Sequence, residues 1–216
     1  MVRGVLFDFD LTLAESSRGT VECTTYALAR LGLPSAAEDA IRRTIGLSLE
    51  ETFRVLTRNA DPAAAKGFAA LFVARADEVM VSLTSLFPEA APTLSQLRRR
   101  GPKTGVVSTK YRYRIEGILR RDGLLSAFDA IVGREDVSLP KPHPEGIERA
   151  LHAIGVAPAE AVFVGDHPVD ARAASAAGVR FVAVLTGTSA ATDFRELPVA
   201  GFARSLVNLP RLVRRL

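Results

Sequence analysis

GVLFDFDLT, residues 4–12, is the stretch of sequence that decides the predicted fold. Its three consecutive apolar residues, 5–7, run directly into acid, which is typical of a parallel strand buried on both faces. Because side chains alternate along a strand, Asp8 and Asp10 point to one side and Phe9 points to the other. Ligands of open α/β sheets bind at the carboxyl edge of the strands. The stretch therefore predicts two neighbouring carboxylates at a ligand-binding edge.

Two neighbouring carboxylates repel each other unless a cation neutralises them or one of them takes a proton. Either arrangement suits chemistry on a phosphate group. For a motif as short as Asp8-Phe9-Asp10, a surface hairpin with two solvated aspartates is the alternative interpretation. The rest of the chain has to decide between a site and a solvated turn.

Composition predicts a globular chain rather than a membrane or secreted protein. The 216 residues are 48% apolar, which is enough to bury a substantial core. No apolar run reaches the length of a bilayer span, and the N-terminus lacks a signal-like segment, so we expect a soluble cytoplasmic protein without a membrane partner. The single cysteine, Cys23, excludes an internal disulfide and a cysteine-built zinc site. We expect it to pack within a helix.

The net charge of +4 comes from arginines spread along the chain. Their clusters at 98–100, 120–121 and 211–215 fall at the ends or outer faces of predicted helices, without interleaved aromatic residues. This pattern argues against a nucleic-acid surface. It remains compatible with anionic substrates.

The segment 16–84 contains no convincing strand, although a simple alternating fold would place its second strand there. Helical spacing runs through residues 21–31, Ser48 and Glu51 have the spacing of a capping box, and residues 68–79 give the clearest amphipathic pattern of the chain. We interpret residues 16–84 as an inserted helical cap domain. The core domain then comprises residues 1–15 and 85–216.

From Pro88 onward, predicted strands and helices alternate. This rhythm predicts an α/β fold with a Rossmann-like, doubly wound, mostly parallel sheet. The predicted strands are 104–107, 130–132, 161–164, 181–185 and a short edge strand near 202. The predicted helices are 89–100, 111–122, 145–154, a small-residue helix ending at 178, and 205–214.

Polar side chains follow several of these strands. Ser108 and Thr109 end one strand, Lys141 lies just before a helix, and Asp166 and Asp170 follow a later strand. Together with the two acids of the first strand, these carboxylates could hold a hard cation, and Mg²⁺ suits a site that also accepts phosphate. A lysine and a hydroxyl complete a cradle for a phosphoryl group.

The sequence resembles the haloacid dehalogenase superfamily of phosphohydrolases. The resemblance covers nearly the whole chain, and the insertion resembles the helical cap of that family. Within the superfamily the chain is similar to phosphoglycolate phosphatases and to the related pyrophosphate-cleaving branch. Four motifs carry the resemblance in order: Asp8-Phe-Asp10-Leu-Thr12, Val107-Ser108-Thr109, Lys141-Pro-His-Pro144, and Gly165-Asp166 with Asp170.

The resemblance implies a role for each acid. Asp8 would be the nucleophile that becomes an aspartyl phosphate, and Asp10 would be the general acid and base. Mg²⁺ would be bound by Asp8, by the backbone carbonyl of Asp10 and by Asp166. Asp170 would be an indirect or alternative ligand, or would only cap the following helix.

The resemblance also implies the phosphate contacts. Ser108, with Thr109 as the alternative, would hydrogen-bond the phosphoryl oxygens, and Lys141 would hold both phosphate and nucleophile. The expected partner is a small phosphorylated substrate, and the expected state is a monomer or homodimer. Arg42, Arg43 and Lys110, with the loop 44–47, are the candidates for reading the leaving group.

Two departures from the family pattern stand out. Leu11 occupies the position after the second aspartate, where the family usually has glycine, and His167-Pro-Val169 replaces a small polar residue. His143 and His167 have no second histidine at ligand spacing, so we interpret both as polar loop residues. Neither departure removes a catalytic group.

Several functions remain open at this point. A carbon-attacking dehalogenase would not be expected to keep Asp10 and Asp166 beside Asp8. A pyrophosphatase and a sugar-phosphate mutase both keep the same core and remain enzyme alternatives. A binding module that kept the fold without turnover is the alternative outside the enzymes.

Overall fold

The computed structural model describes residues 1–99 and 101–216. Arg100, which falls in the predicted helix 89–100 and in the arginine run 98–100, lies outside the described residues. The strands are β1 (Gly4–Phe7), β2 (Ala14–Glu15), β3 (Ser85–Leu86), β4 (Lys103–Val107), β5 (Ala130–Val132), β6 (Ala161–Gly165), β7 (Arg180–Val184) and β8 (Val199–Ala203). The helices are α1 (Ser17–Arg30), α2 (Glu38–Arg42), α3 (Leu49–Thr57), α4 (Pro62–Leu83), α5 (Ala90–Arg98), α6 (Arg112–Arg121), α7 (Glu145–Ile154), α8 (Pro168–Ala176) and α9 (Leu209–Val213).

The main sheet has six parallel strands in the order β5-β4-β1-β6-β7-β8. Counted along the chain, this order is the 3-2-1-4-5-6 arrangement of Rossmann-like sheets. The predicted fold class is therefore confirmed. The order reverses between β1 and β6, and this switch point is where such sheets leave a crevice for a ligand.

Strand β1 lies at the centre of the sheet and is buried along its whole length. Val5 and Phe7 pack into the apolar cluster under α5, α6 and α9, whereas Leu6 packs into the cluster under α7 and α8. Burial of each such side chain is worth about 1.5–3 kcal/mol, so the register of β1 is firmly held. Asp8 follows directly, and its N–H donates to the carbonyl of Val164 at 2.8 Å. The strand thus fixes Asp8 at the crevice.

Helices α1 to α4 lie between β2 and β3, which pair antiparallel where the chain leaves the sheet and returns to it. Sequence reasoning did not predict this pair, because two-residue strands carry no periodic signal. That residues 16–84 form a separate cap domain stays a prediction. None of the described helices combines the length and the apolar character that a membrane span requires.

The helical insertion has an apolar cluster of its own. It contains Cys23, Phe53, Phe68 and Phe72, among others. Burial raises the pKa of Cys23 to about 11, so the thiol packs as a small apolar group. Helix α3 begins after Ser48, as the sequence predicted: Ser48 Oγ accepts a hydrogen bond from the N–H of Glu51 at 3.1 Å. The reciprocal bond from the N–H of Ser48 to the Glu51 side chain, which a full capping box requires, is not formed between these two described residues.

Candidate active site

Three carboxylates meet where β1 and β6 end at the switch point. Asp8 follows β1, and Asp166 and Asp170 follow β6. One carboxylate oxygen of each lies within 4.8 Å of the other two. All three residues are at most 3% exposed. Their burial makes this cluster, called the acid cluster below, expensive unless positive charge compensates it.

Lys141 supplies positive charge from the loop before α7. Its Nζ donates to Asp8 Oδ1 at 2.7 Å and to Asp170 Oδ1 at 2.5 Å. Burial alone lowers the pKa of Lys141, but the negative charges of Asp170 and Asp8 outweigh it and raise the pKa above its ordinary value. The lysine is therefore cationic, and one ammonium faces three carboxylates.

The excess of negative over positive charge in the acid cluster raises the pKa values of its carboxyl groups. Burial, with the neighbouring charges of Asp170 and Asp10, raises the pKa of Asp8 to about 7, although Lys141 opposes the shift. Burial and the charges of Asp170 and Asp8 also raise the pKa of Asp166 well above its ordinary value. A divalent cation would relieve this repulsion, and an all-oxygen donor set suits a hard cation such as Mg²⁺. The acid cluster therefore fits a metal of this class.

Neighbouring groups orient the acid cluster. Thr12 Oγ1 donates to Asp166 Oδ1 at 3.0 Å, and the N–H of His167 donates to Asp170 Oδ2 at 3.2 Å. Asp170 thus caps α8 while its other oxygen contacts the lysine. Gly187 leaves room for Asp166, because a Cβ at this position would lie 1.9 Å from Asp166 Oδ2. No sequence signal had indicated Gly187, since its approach depends on the path of the loop after β7.

Asp10 belongs to a different part of the site. Its Oδ1 lies 3.0 Å from Lys110 Nζ, but not at a hydrogen-bonding angle, and it has no hydrogen-bond partner among the described residues. Both side chains line a cavity that the acid cluster does not line. Lys110 was predicted to bind substrate, and in the structure its ammonium group lies beside the carboxylate of Asp10. Its substrate contact stays a prediction.

The two hydroxyl candidates also point to different places. Ser108 is buried at the end of β4, where its Oγ accepts from the N–H of Lys110 at 3.2 Å. Thr109 lines the cavity, and its Oγ1 donates to the carbonyl of Gly46 at 3.5 Å. Which of them contacts a phosphoryl group stays a prediction.

The cavity has a volume of about 310 Å³ and lies between the sheet edge and the helical insertion. The core side of its wall is polar and the insertion side is largely apolar. Arg42 and Arg43 do not line the cavity. The guanidinium of Arg42 lies 3.9 Å from the carboxylate of Glu15, and the side chain of Arg43 is exposed to solvent. Their contact with substrate stays a prediction. The core side comprises Asp10, Thr109, Lys110, Tyr111, Arg114 and Arg134, and the insertion side comprises Thr20, residues 44–50, Thr52, Lys66, Ala69, Ala70, Phe72, Val73 and Met80.

Arg114 joins the two sides, and sequence reasoning missed it. Its guanidinium donates to Asp77 Oδ1 at 2.7 and 2.9 Å and to the carbonyl of Val73 at 2.9 Å. The hydroxyl of Tyr113 hydrogen-bonds the same Asp77 oxygen. The side chain of Arg114 is only 4% exposed, because α4 covers it. This packing of α4 on α6 is tertiary and leaves no local pattern in the sequence.

The family departures are accommodated locally. Leu11 has φ +58°, the left-handed conformation that glycine favours, and its side chain is buried. The strain of about 1–2 kcal/mol is comparable with the gain from burying the leucine, so the turn keeps its shape. His167 Nδ1 accepts from the N–H of Val169, and His143 Nδ1 accepts from the N–H of Glu145. Each histidine ring thus accepts a backbone hydrogen bond within its own loop and stabilises that loop.

Comparison with known proteins gives a consistent result. A family model described as haloacid dehalogenase-like hydrolase matches residues 5–184. The chain is 32% identical to a phosphoglycolate phosphatase of Yersinia pseudotuberculosis over 98% of this chain and 95% of the relative. It is 30% identical to the phosphoglycolate phosphatase of Escherichia coli K12 over 86% and 82% of the two chains.

A solved structure agrees in both fold and sequence. A chain from Bacteroides fragilis, described as a haloacid dehalogenase-like hydrolase, superposes with a TM-score of 0.93 at 41% identity, covering 97% of this chain and 100% of its own. The predicted superfamily is therefore confirmed. Since the family model spans most of the chain and relatives at 30% identity or more cover nearly all of it, this chain belongs to the haloacid dehalogenase-like hydrolase family and is a phosphatase-like enzyme of that family.

Proposed function

We propose that the chain is a Mg²⁺-dependent phosphatase that hydrolyses a small phosphomonoester through an aspartyl phosphate on Asp8. One observation carries the proposal. Asp8 sits at the end of the central strand within hydrogen-bond distance of Lys141 and beside Asp166 and Asp170. Its companion Asp10 lines the adjoining cavity. The similarity to phosphoglycolate phosphatases supports a phosphomonoester as the substrate class.

Asp8 and Asp10 divide the reaction between them. A carboxylate oxygen of Asp8 attacks phosphorus, the bond from phosphorus to the leaving oxygen breaks, and Asp10 gives a proton to that oxygen. A water molecule then attacks the same phosphorus while Asp10 takes its proton. Phosphate leaves, and the carboxylate of Asp8 is restored. The position of Asp10 in the cavity wall supports this role, because the leaving oxygen has to face that cavity.

The remaining groups hold the phosphoryl oxygens and keep the acids in place. Lys141 neutralises part of the charge on Asp8, and the hydroxyl of Ser108 or Thr109 would donate to a phosphoryl oxygen. Asp8, Asp166 and the backbone carbonyl of Asp10 would hold Mg²⁺, with Asp170 as an indirect or alternative ligand. When bound, the ion would stabilise negative charge on the transferring group.

The helical insertion would act as a cap. Residues 16–84 would form this domain over a core made of residues 1–15 and 85–216, and the leaving group would occupy the cavity between them. Arg114 supports this division, because it ties α6 of the core to α4 of the insertion across the cavity wall. A cap in this position excludes water from the reacting phosphorus.

Phosphate release from a panel of small phosphomonoesters, measured with Mg²⁺ and again after EDTA, tests the proposal. We expect release with Mg²⁺, loss of release with EDTA and its return when Mg²⁺ is added in excess. Calcium should not replace Mg²⁺, because its looser and higher coordination would occupy the oxygen of Asp8 that must attack. Phosphate release at full rate in EDTA would contradict the proposal.

A further inference from the structure

The insertion side of the cavity is lined mainly by apolar side chains. Ala69, Ala70 and Val73 of α4 face the space, and Phe72 and Met80 of the same helix complete the wall. Ile45, Leu47 and Leu49 extend this apolar surface from the segment before and into α3. The polar residues Thr44, Ser48, Glu50 and Thr52 lie between and after them. This surface can hold apolar carbon atoms and offers little to a charged group.

Three of the four cations that line the cavity contact protein partners. Lys110 Nζ lies 3.0 Å from Asp10, and the guanidinium of Arg114 is held by Asp77. Arg134 donates to the carbonyl of Val137 at 3.0 Å. Lys66 is exposed and therefore remains hydrated. An anionic leaving group would compete with the protein partners of Lys110, Arg114 and Arg134 for these cations, which weakens what it gains from them.

Two threonine hydroxyls of the insertion that line the cavity donate to backbone carbonyls, and Ser48 accepts from a backbone N–H. Thr44 Oγ1 donates to the carbonyl of Ile41 at 2.7 Å, and Ser48 Oγ accepts from the N–H of Glu51. Thr20 Oγ1 donates to the carbonyl of Ser16 at 3.2 Å. The O–H donors of Thr20 and Thr44 are therefore engaged within the insertion.

The volume of the cavity also favours an apolar leaving group of several carbons. At about 310 Å³ the cavity is at the lower end of the range of roughly 300–1,000 Å³ that holds drug-sized ligands. A two-carbon acid would leave most of this volume unfilled and its carboxylate unpaired. A larger apolar group would fill the volume and cover the wall.

We propose that the preferred substrates are phosphomonoesters whose leaving group is an uncharged, mainly apolar alcohol of four or more carbons. This inference rests on the proposed phosphatase function and adds the chemical class of its substrate. The alcohol body contacts the α4 wall, and its oxygen faces Asp10, which protonates it as the bond to phosphorus breaks.

A series of alkyl phosphates tests the size and polarity of the site. We expect kcat/KM to rise about fourfold per added methylene from methyl to butyl phosphate, since each buried methylene contributes about 0.8 kcal/mol. Butyl and benzyl phosphate should exceed 2-phosphoglycolate and pyrophosphate by at least about tenfold. A higher kcat/KM for 2-phosphoglycolate or pyrophosphate would overturn the inference and leave the phosphatase function standing. Release of phosphate from none of these compounds would overturn both.

A cavity-filling variant locates the effect. Ala69→Phe should lower kcat/KM for butyl and benzyl phosphate by about tenfold or more and leave methyl phosphate within about twofold. Ala63→Phe is the matched control, because Ala63 is exposed on the same helix and does not line the cavity. Circular dichroism confirms that both variants fold. An equal loss on methyl and butyl phosphate in Ala69→Phe, or no loss on either, would contradict the placement of the alcohol against α4.

Discussion

The acid cluster and the apolar wall of the adjoining cavity arise in different ways. The acids follow β1 and β6 directly, so the sheet alone brings them together. The wall combines one face of α4 with residues 44–50, which meet through packing of α3 on α4 within the insertion. The first region concentrates buried charge, and the second removes water from an apolar space.

This difference separates chemistry from selectivity. A change in the acid cluster alters groups that bear charge in the reaction, so its effect should be large and similar for every substrate. A change in the wall alters contact with the leaving group, so its effect should be small and should depend on the substrate. The predictions below use that contrast.

The largest effect is expected for Asp8→Asn. An amide cannot serve as the nucleophile, and the acid cluster also loses a carboxylate, so turnover should fall by more than about 10⁴-fold for all substrates. Phosphate release under saturating Mg²⁺ measures it. Asp39→Asn, at an exposed aspartate of α2, is the control and should keep wild-type rates. A loss of activity on one substrate only would show that Asp8 contributes to binding of that substrate and is not the nucleophile.

Asp10→Asn should come next, with a loss of about 10² to 10⁴-fold. The loss should be greater for alkyl phosphates than for aryl phosphates, since an aryl oxide leaves without a proton. The ratio of the kcat values for the two substrate types in wild type and variant checks this. An identical loss on both types would show that Asp10 does not protonate the leaving oxygen.

Gly187→Ala tests the packing around the acid cluster. The added methyl group would collide with Asp166 Oδ2 and turn this carboxylate, so we expect Mg²⁺ affinity to fall by about 10- to 100-fold. The Mg²⁺ dependence of the initial rate measures the change. Gly67→Ala in α4 is the control, because the nearest atom to its new methyl group would be 3.8 Å away. An unchanged Mg²⁺ dependence would separate Asp166 from the metal.

The smallest effect is expected for Asp77→Asn. Asp77 lies on α4 and holds Arg114, which lines the cavity. Burial raises the pKa of Asp77, but hydrogen bonds from Tyr113 and Arg114 outweigh it and lower the pKa below its ordinary value. The carboxylate therefore stabilises the fold above its unfolded-state pKa of about 4, and this contribution is lost as pH falls through the lowered value. Because Asp77 is half exposed, the loss should be at most about 1 kcal/mol.

Two measurements check the Asp77 prediction. Urea unfolding at pH 7 should show the small loss, and the difference from wild type should vanish at strongly acidic pH. KM should rise by about two- to fivefold with kcat nearly unchanged, since the contact between α4 and α6 weakens. Glu78→Gln, which alters a surface pair with Arg75 on the same helix, should not change KM. A fall in kcat alone would contradict a role in holding the cavity wall.

The contrast between the two regions also explains how far the sequence could be interpreted. The sheet and the positions of Asp8 and Asp166 followed from apolar runs that end in polar residues, because a strand end fixes where its next residue lies. Lys141 was placed by its position just before a predicted helix. For α4, the spacing indicated the face that packs inside the insertion, with Phe68 and Phe72. Ala69 and Val73, which line the cavity next to Phe72 and Met80, are small residues without a signal of their own.

The partners of the long charged side chains were the other feature that the sequence alone could not predict. Arg42, Arg43 and Lys110 were the predicted contacts of the leaving group, yet neither of the first two lines the cavity and the third faces Asp10. Arginine and lysine reach far from the backbone, so their partners depend on tertiary packing. Arg114 illustrates the same limit, because its burial follows from α4 lying across it.

The phosphorylation state of Asp8 during turnover tests the central claim most directly. Acid quenching, reduction with borohydride and peptide mapping by mass spectrometry convert an aspartyl phosphate into homoserine at its position in the sequence. We predict homoserine at position 8 in the wild-type enzyme turning over benzyl phosphate with Mg²⁺. With an aryl phosphate, whose leaving oxide needs no proton, we predict more of it in Asp10→Asn than in wild type, because the attacking water lacks its base. Sustained phosphate release without modification at position 8, or with modification at another residue, would contradict the account.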